Sequence, residues 1–201
     1  MSKRQSIAWL LFQAAVPYGE TMKLRPARTM RYITSQAWSR YSVKKPRKNY
    51  IKALPHTSLL IFRMGNPKLS YDTIVTLDSD QYVQVRSNSL EAARQTANKY
   101  LEKELPNAYF LRVVTYPHQV IREKKRATGA GADRLSQGMS MSFGKPISIA
   151  ARIKPRTPVF ELKINANGPS VAVAKEALKR ASSKLSGNYS VSVKSAVKQA
   201  S

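Results

Sequence analysis

From Met22 to Ser70 the chain sets Lys23, Arg25, Arg28, Arg31, Arg40, Lys44, Lys45, Arg47, Lys48, Lys52, Arg63 and Lys68 in succession, and the next acid is Asp72. Such a stretch has no internal means of neutralising itself. Packed together in a free compact state, these cations repel one another, whereas a phosphate backbone releases condensed counterions as each Lys or Arg docks. The segment is therefore expected to be an arm that takes its shape on a polyanion. Nucleic acid is the first partner to consider. Arg25, Arg28, Arg31, Arg40, Lys44, Lys45, Arg47, Lys48 and Lys52 are the candidate binding residues.

Tyr32, Trp38, Tyr41 and Tyr50 are interleaved among those charges, and Pro26, Pro46, Pro55 and Pro67 interrupt any regular period. Aromatic faces stack on unpaired bases while neighbouring cations hold phosphates, which suits folded RNA better than smooth duplex. The plainer alternative is that each ring anchors the arm to its own core. The rest of the chain agrees on charge: 35 Lys plus Arg stand against 11 Asp plus Glu, a formal charge of +24 in 201 residues. A hydrophobic content of 42% still supports one folded domain. The absence of cysteine excludes disulfides and thiolate chemistry, and His56 and His118 are too few for a typical metal site. No metal and no cofactor are expected.

Residues 1–21 stand apart. Lys3 and Arg4 followed by the apolar run Ile7 to Val16 resemble a weak signal peptide, too short to span a bilayer and with a poor cleavage pattern. The competing reading is an upstream extension or a mis-called start, with Met22 as the working first residue. The domain plan that follows is extension 1–21, basic arm 22–68, core 69–195 and tail 196–201.

Within the core the hydrophobic period alternates between strand and helix. Leu59 to Phe62 is apolar enough for a first strand ending at Gly65-Asn66-Pro67. Tyr71, Thr73, Val75 and Leu77 alternate on one face, Asp78-Ser79-Asp80 reads as a turn, and a second strand around Tyr82 to Arg86 completes an expected hairpin. Asn88 and Glu91 resemble a capping pair for a helix whose stripe is Leu90, Ala93, Ala97, Tyr100 and Leu101. Phe110 to Thr115, then Ile147 to Ile153, then Phe160 to Ile164 read as further strands. Gly168-Pro169 opens a second helix carrying Val173, Ala174, Ala177, Leu178, Ala181 and Leu185, closed by Gly187, and Tyr189 to Val193 is a last strand. This pattern predicts an α+β fold, a two-layer sandwich of a mostly antiparallel sheet and two helices with an extended basic N-terminal arm.

Residues 122–146 interrupt the sheet pattern and are too long for an idle turn. Gly129, Gly131, Gly138 and Gly144 permit close backbone approach, while Arg122, Lys124, Lys125, Arg126, Arg134 and Lys145 supply charge. The segment suits a loop threaded between RNA strands; a merely mobile surface loop is the other reading. Catalytic machinery is not visible. Gly129-Ala-Gly-Ala-Asp133 is a fragment of a dinucleotide fingerprint without its third glycine, no P-loop or His-Glu-x-x-His occurs, and the acids are scattered. A membrane binder would show a basic amphipathic helix, and a DNA reader a recognition helix; neither is found.

Arg25-Pro-Ala-Arg28, Ser89-Leu-Glu-Ala-Ala-Arg94, Tyr116-Pro-His118, Val120-Ile-Arg122, Gly129-Ala-Gly-Ala-Asp-Arg134, Gly138-Met139 and Phe143-Gly-Lys-Pro146 occur in order along the chain. In these motifs the chain resembles the archaeal and eukaryotic branch of the large-subunit ribosomal protein sixteen family, the ten-e branch, from about Leu24 to Leu185. The resemblance implies an α/β-hammerhead-like fold and a structural, non-enzymatic role in the cytoplasmic ribosome. The implied partners are large-subunit rRNA, tRNA in the A and P sites and neighbouring large-subunit proteins, with no membrane and no small-molecule substrate. The arm would pack on rRNA, and the loop, with Arg122, Lys124, Lys125, Arg126, Gly129, Gly131, Arg134 and Lys145, would face rRNA and tRNA near the peptidyl-transferase centre. Thr29-Met30, Gln119 and Ser140 depart from the family pattern, and Ser140 stands where the loop commonly carries an arginine. A free-standing basic RNA-binding protein is the alternative function.

Overall fold

Alternating apolar residues generate the strands, and hydrogen-bonding edges decide which strands meet. The computed structural model describes residues 33, 47, 49, 51–124, 131, 134, 140 and 143–195. The expectations for 1–21, for most of the arm and for 196–201 lie outside them. Strands β1 (Arg63–Gly65), β2 (Thr73–Ser79), β4 (Tyr109–Val113), β7 (Pro158–Ile164) and β8 (Tyr189–Ser195) form one sheet in the order β1-β4-β7-β2-β8. A second sheet has the order β3-β6-β5, from β3 (Val83–Arg86), β5 (Gln119–Glu123) and β6 (Lys145–Ile153). All these pairings are antiparallel. Helices α1 (Ser87–Glu104) and α2 (Gly168–Ser182) pack against each other and against the strands. The α+β class with two helices holds, with two sheets in place of one.

The core forms where one face of the larger sheet meets the helical stripes. Val75, Leu77, Leu111, Phe160, Leu162 and Ile164 come from the sheet, Leu90, Ala93, Ala97 and Leu101 from α1, and Ala174, Ala177, Leu178 and Ala181 from α2. Small alanine faces let helix axes approach their neighbours closely, and the larger aliphatic and aromatic residues of the sheet fill the space between.

The expected hairpin does not form, because both edges of β2 are already taken. β7 pairs along one side from Thr73↔Ile164 to Asp78↔Pro158, and β8 along the other from Thr73↔Ser195 to Ser79↔Tyr189. β3 therefore leaves for the second sheet, where it pairs with β6. Asp78 is a strand residue that accepts hydrogen bonds from Ser192 Oγ (2.7 Å) and Thr76 Oγ1 (3.2 Å), and Asp80 accepts one from Ser190 Oγ (2.7 Å). The acids read as turn formers fasten β8 instead.

Other boundaries shift for local reasons. Leu59 is buried but Leu60 and Ile61 are exposed, so the first strand begins only at Arg63. Gly65 then turns the chain at φ +84°, where a Cβ would lie 2.2 Å from the Tyr109 carbonyl oxygen. The next amide, of Asn66, donates to that same oxygen at 3.0 Å. α1 begins directly after β3, so Asn88 sits inside its first turn, and Glu91 pairs with Arg94 rather than capping. α2 ends at Ser182, and Gly187 serves the later turn into β8.

Candidate nucleic-acid interface

The C-terminal end of the arm mixes exposed and covered residues. Arg47 and Lys52 are exposed, while Asn49 is 8% and Ile51 3% exposed. The two described cations are exposed, and the two described residues between them are buried. The signal for this covered position is an aliphatic side chain, Ile51, standing between Lys48 and Lys52. Arg25, Arg28, Arg31, Arg40, Lys44, Lys45 and Lys48 lie outside the described residues.

The glycine-rich segment springs from a paired stem, of which the hydrophobic pattern reveals β6 but not β5. β5 and β6 pair through Arg122↔Pro146 and Glu123↔Lys145, with a register shift between Ile121 and Arg122. An irregularity of this kind twists and redirects a strand end. Phe143 lies beneath the Arg122 guanidinium, 3.9 Å from ring centroid to Cζ. Gly144 is buried, and a Cβ there would come within 2.6 to 2.9 Å of the Glu123 carbonyl group and the Lys124 nitrogen. Backbone contact and cation–π stacking thus brace the base of the segment. Lys145 is exposed, Lys124 half-buried, and Arg134 exposed, with its amide donating to the Gly131 carbonyl at 3.1 Å. Lys125, Arg126 and Gly129 lie outside the described residues.

Replacing Gly144 by Ala is expected to force β5 and β6 apart, because the obstructing atoms are backbone. An overpacking cost of about 1–3 kcal/mol follows. Hydrogen exchange at the Val120 to Glu123 amides should accelerate while the α1 amides stay protected; unchanged exchange at the stem would contradict the contact's importance.

Several of the few acids are engaged locally. Glu91 accepts from Arg94 Nε at 2.8 Å, and that hydrogen bond holds its carboxyl below the usual carboxylate range. Glu176 accepts from Arg180 Nε at 2.9 Å, and Glu161 lies 3.6 Å from Lys163 Nζ and 4.0 Å from Arg112 Nη1. Internal pairing therefore leaves a large positive excess for an external partner. His118 Nδ1 contacts the Tyr116 carbonyl at 3.0 Å, a local backbone contact rather than a catalytic pairing. Among the described residues no three His, Cys, Asp or Glu gather as metal ligands, and no helix is long and apolar enough to cross a membrane.

Comparison with known proteins agrees with this picture. A family profile described as Ribosomal protein L16p/L10e matches residues 38–192. The large ribosomal subunit protein uL16 of Thermofilum pendens is 42% identical over 165 residues, covering 82% of this chain and 93% of that protein. Its counterpart in Archaeoglobus fulgidus is 41% identical over 152 residues, covering 75% and 86%. That of Staphylothermus marinus is 43% identical over 165 residues, covering 82% and 90%. With identity of this degree over most of the chain and the family profile matching residues 38–192, the chain belongs to the L16p/L10e family of ribosomal proteins, structural constituents of the large ribosomal subunit rather than enzymes.

Proposed function

We propose that the chain holds large-subunit rRNA through its basic arm and carries the cations of residues 122–146 toward the tRNA sites near the peptidyl-transferase centre. Neighbouring large-subunit proteins and tRNA in the A and P sites are the further partners. The observation that carries this reading is the braced stem, where Gly144 against Glu123 and Phe143 beneath Arg122 give a charged glycine-rich segment a rigid base. A segment that only anchored the protein would not need its base built so tightly. Lys124, Lys125 and Arg126 then act on phosphates beyond the stem, while Arg122 acts first as a brace.

Replacing Lys124, Lys125 and Arg126 together by Ala is expected to leave incorporation into large subunits near wild type and to slow translation by those subunits. Sedimentation in moderate salt followed by a translation assay reads both. Exclusion of the variant from the subunit would make the segment an assembly anchor. Loss of the unaltered protein from the particle in moderate salt would favour the free-standing RNA binder.

A further inference from the structure

We infer that the outward face of the five-stranded sheet carries a separate RNA subsite, a preformed cleft that takes one unpaired nucleobase with its phosphate near Lys163. The inference rests on the reading that the chain is seated on rRNA. Strand register places Phe110, Lys163, Ile74 and Lys194 in one cross-strand row, beside a row of Arg63, Arg112, Glu161, Thr76 and Ser192. Side chains alternate across a sheet, so these rows face away from the helices that cover Leu111, Leu162 and Val75.

A cleft of about 170 Å³ opens on this face, lined by Pro67, Leu69, Tyr71, Ile74, Phe110 and Lys163. A cavity of roughly 150 Å³ accommodates a benzene ring, so the space suits a planar heterocycle. Its wall is already ordered. The Asn66 amide donates to Tyr109 O (3.0 Å), Asn66 Oδ1 accepts from the Lys68 amide (3.0 Å), and Tyr71 OH donates to Asn66 O (2.6 Å). A wall held by its own hydrogen bonds spares the occupant the cost of ordering it.

Charge selects the occupant. Arg63, Arg112, Lys163 and Lys194 share the two rows with a single acid, Glu161, and the nearby Asp78 is engaged by the Ser192 and Thr76 hydroxyls. Glu161 lies within 4.0 Å of both Lys163 and Arg112, and it offsets only part of that excess. An apolar peptide side chain would fill the cleft and leave those cations uncompensated. A base that stacks on Phe110 and hydrogen-bonds the polar groups making up most of the exposed lining brings its own phosphates to them.

The test uses the full chain bound to large-subunit rRNA. A benzophenone side chain placed at Leu69, on the exposed rim, is expected to crosslink to a single unpaired rRNA nucleotide. Phe110→Ala should weaken binding about five- to 100-fold at fixed salt with the salt slope unchanged, and Phe110→Tyr should restore it. Lys163→Gln should lower the salt slope by about one unit. Thermal melts of each variant separate binding loss from unfolding, and the crosslink does not depend on either substitution. Crosslinking to a ribosomal protein, or wild-type binding by Phe110→Ala, would overturn the subsite while leaving the arm's binding intact. Failure of the unaltered chain to bind rRNA would instead refute the broader functional reading.

Discussion

Replacing Arg25, Arg28, Arg31, Arg40, Lys44, Lys45, Arg47, Lys48 and Lys52 by Gln is expected to flatten the log–log salt dependence of rRNA binding by roughly 6 to 8 units. The figure follows from about 0.7 to 0.9 counterions released per phosphate contact, summed over these cations. Between about 50 and 200 mM salt the unaltered chain should lose roughly a thousandfold or more in affinity, and the variant far less. Equilibrium binding at several salt concentrations reads the slope directly. Substitution is the right perturbation, because deleting the arm through Lys52 would also remove Asn49 and Ile51, which are buried. A slope equal to that of the unaltered chain would remove the arm from the binding account.

Phe160→Ala should be the most damaging single change to the fold. Phe160 is wholly buried at the middle of the larger sheet, on β7, with Val113 of β4 on one side and Leu77 of β2 on the other. Truncation there removes a ring that sheet and helices cannot close over, at a cost of about 3–5 kcal/mol. Against typical domain stabilities of about 5–15 kcal/mol, that is a large share. Urea unfolding of the full chain should show the midpoint fall accordingly. Lys194→Ala, on an exposed strand position, should stay within about 0.5 kcal/mol of the parent. A loss under about 1 kcal/mol for Phe160→Ala would mean the site collapses readily.

Much of this organisation could be read from local pattern. The stripe Leu90, Ala93, Ala97, Leu101 and the stripe Ala174, Ala177, Leu178, Ala181 are buried as their helical spacing demands. Phe160, Leu162 and Ile164 face inward as a two-residue period requires. β5 was missed because Val120-Ile-Arg-Glu alternates too briefly between Pro117 and the charged loop. The pattern sets β1 too early, because an apolar run does not say which of its residues find cover. The motifs of the loop could be recognised in the chain, yet the bracing of Arg122 by Phe143 joins a residue of β5 to one just before β6.

Charge, helical faces and family membership are properties of residues taken in order, and they can be read without any fold. An acid-free run of Lys and Arg stays basic in any fold, and a 3.6-residue stripe needs only a core to face. Only in three dimensions do β2 and β3 part company, is Ile51 covered and does Gly144 press on Glu123. Each of those depends on which edge, cavity or backbone is already occupied by a distant segment, and occupancy of that kind is not written in any local spacing.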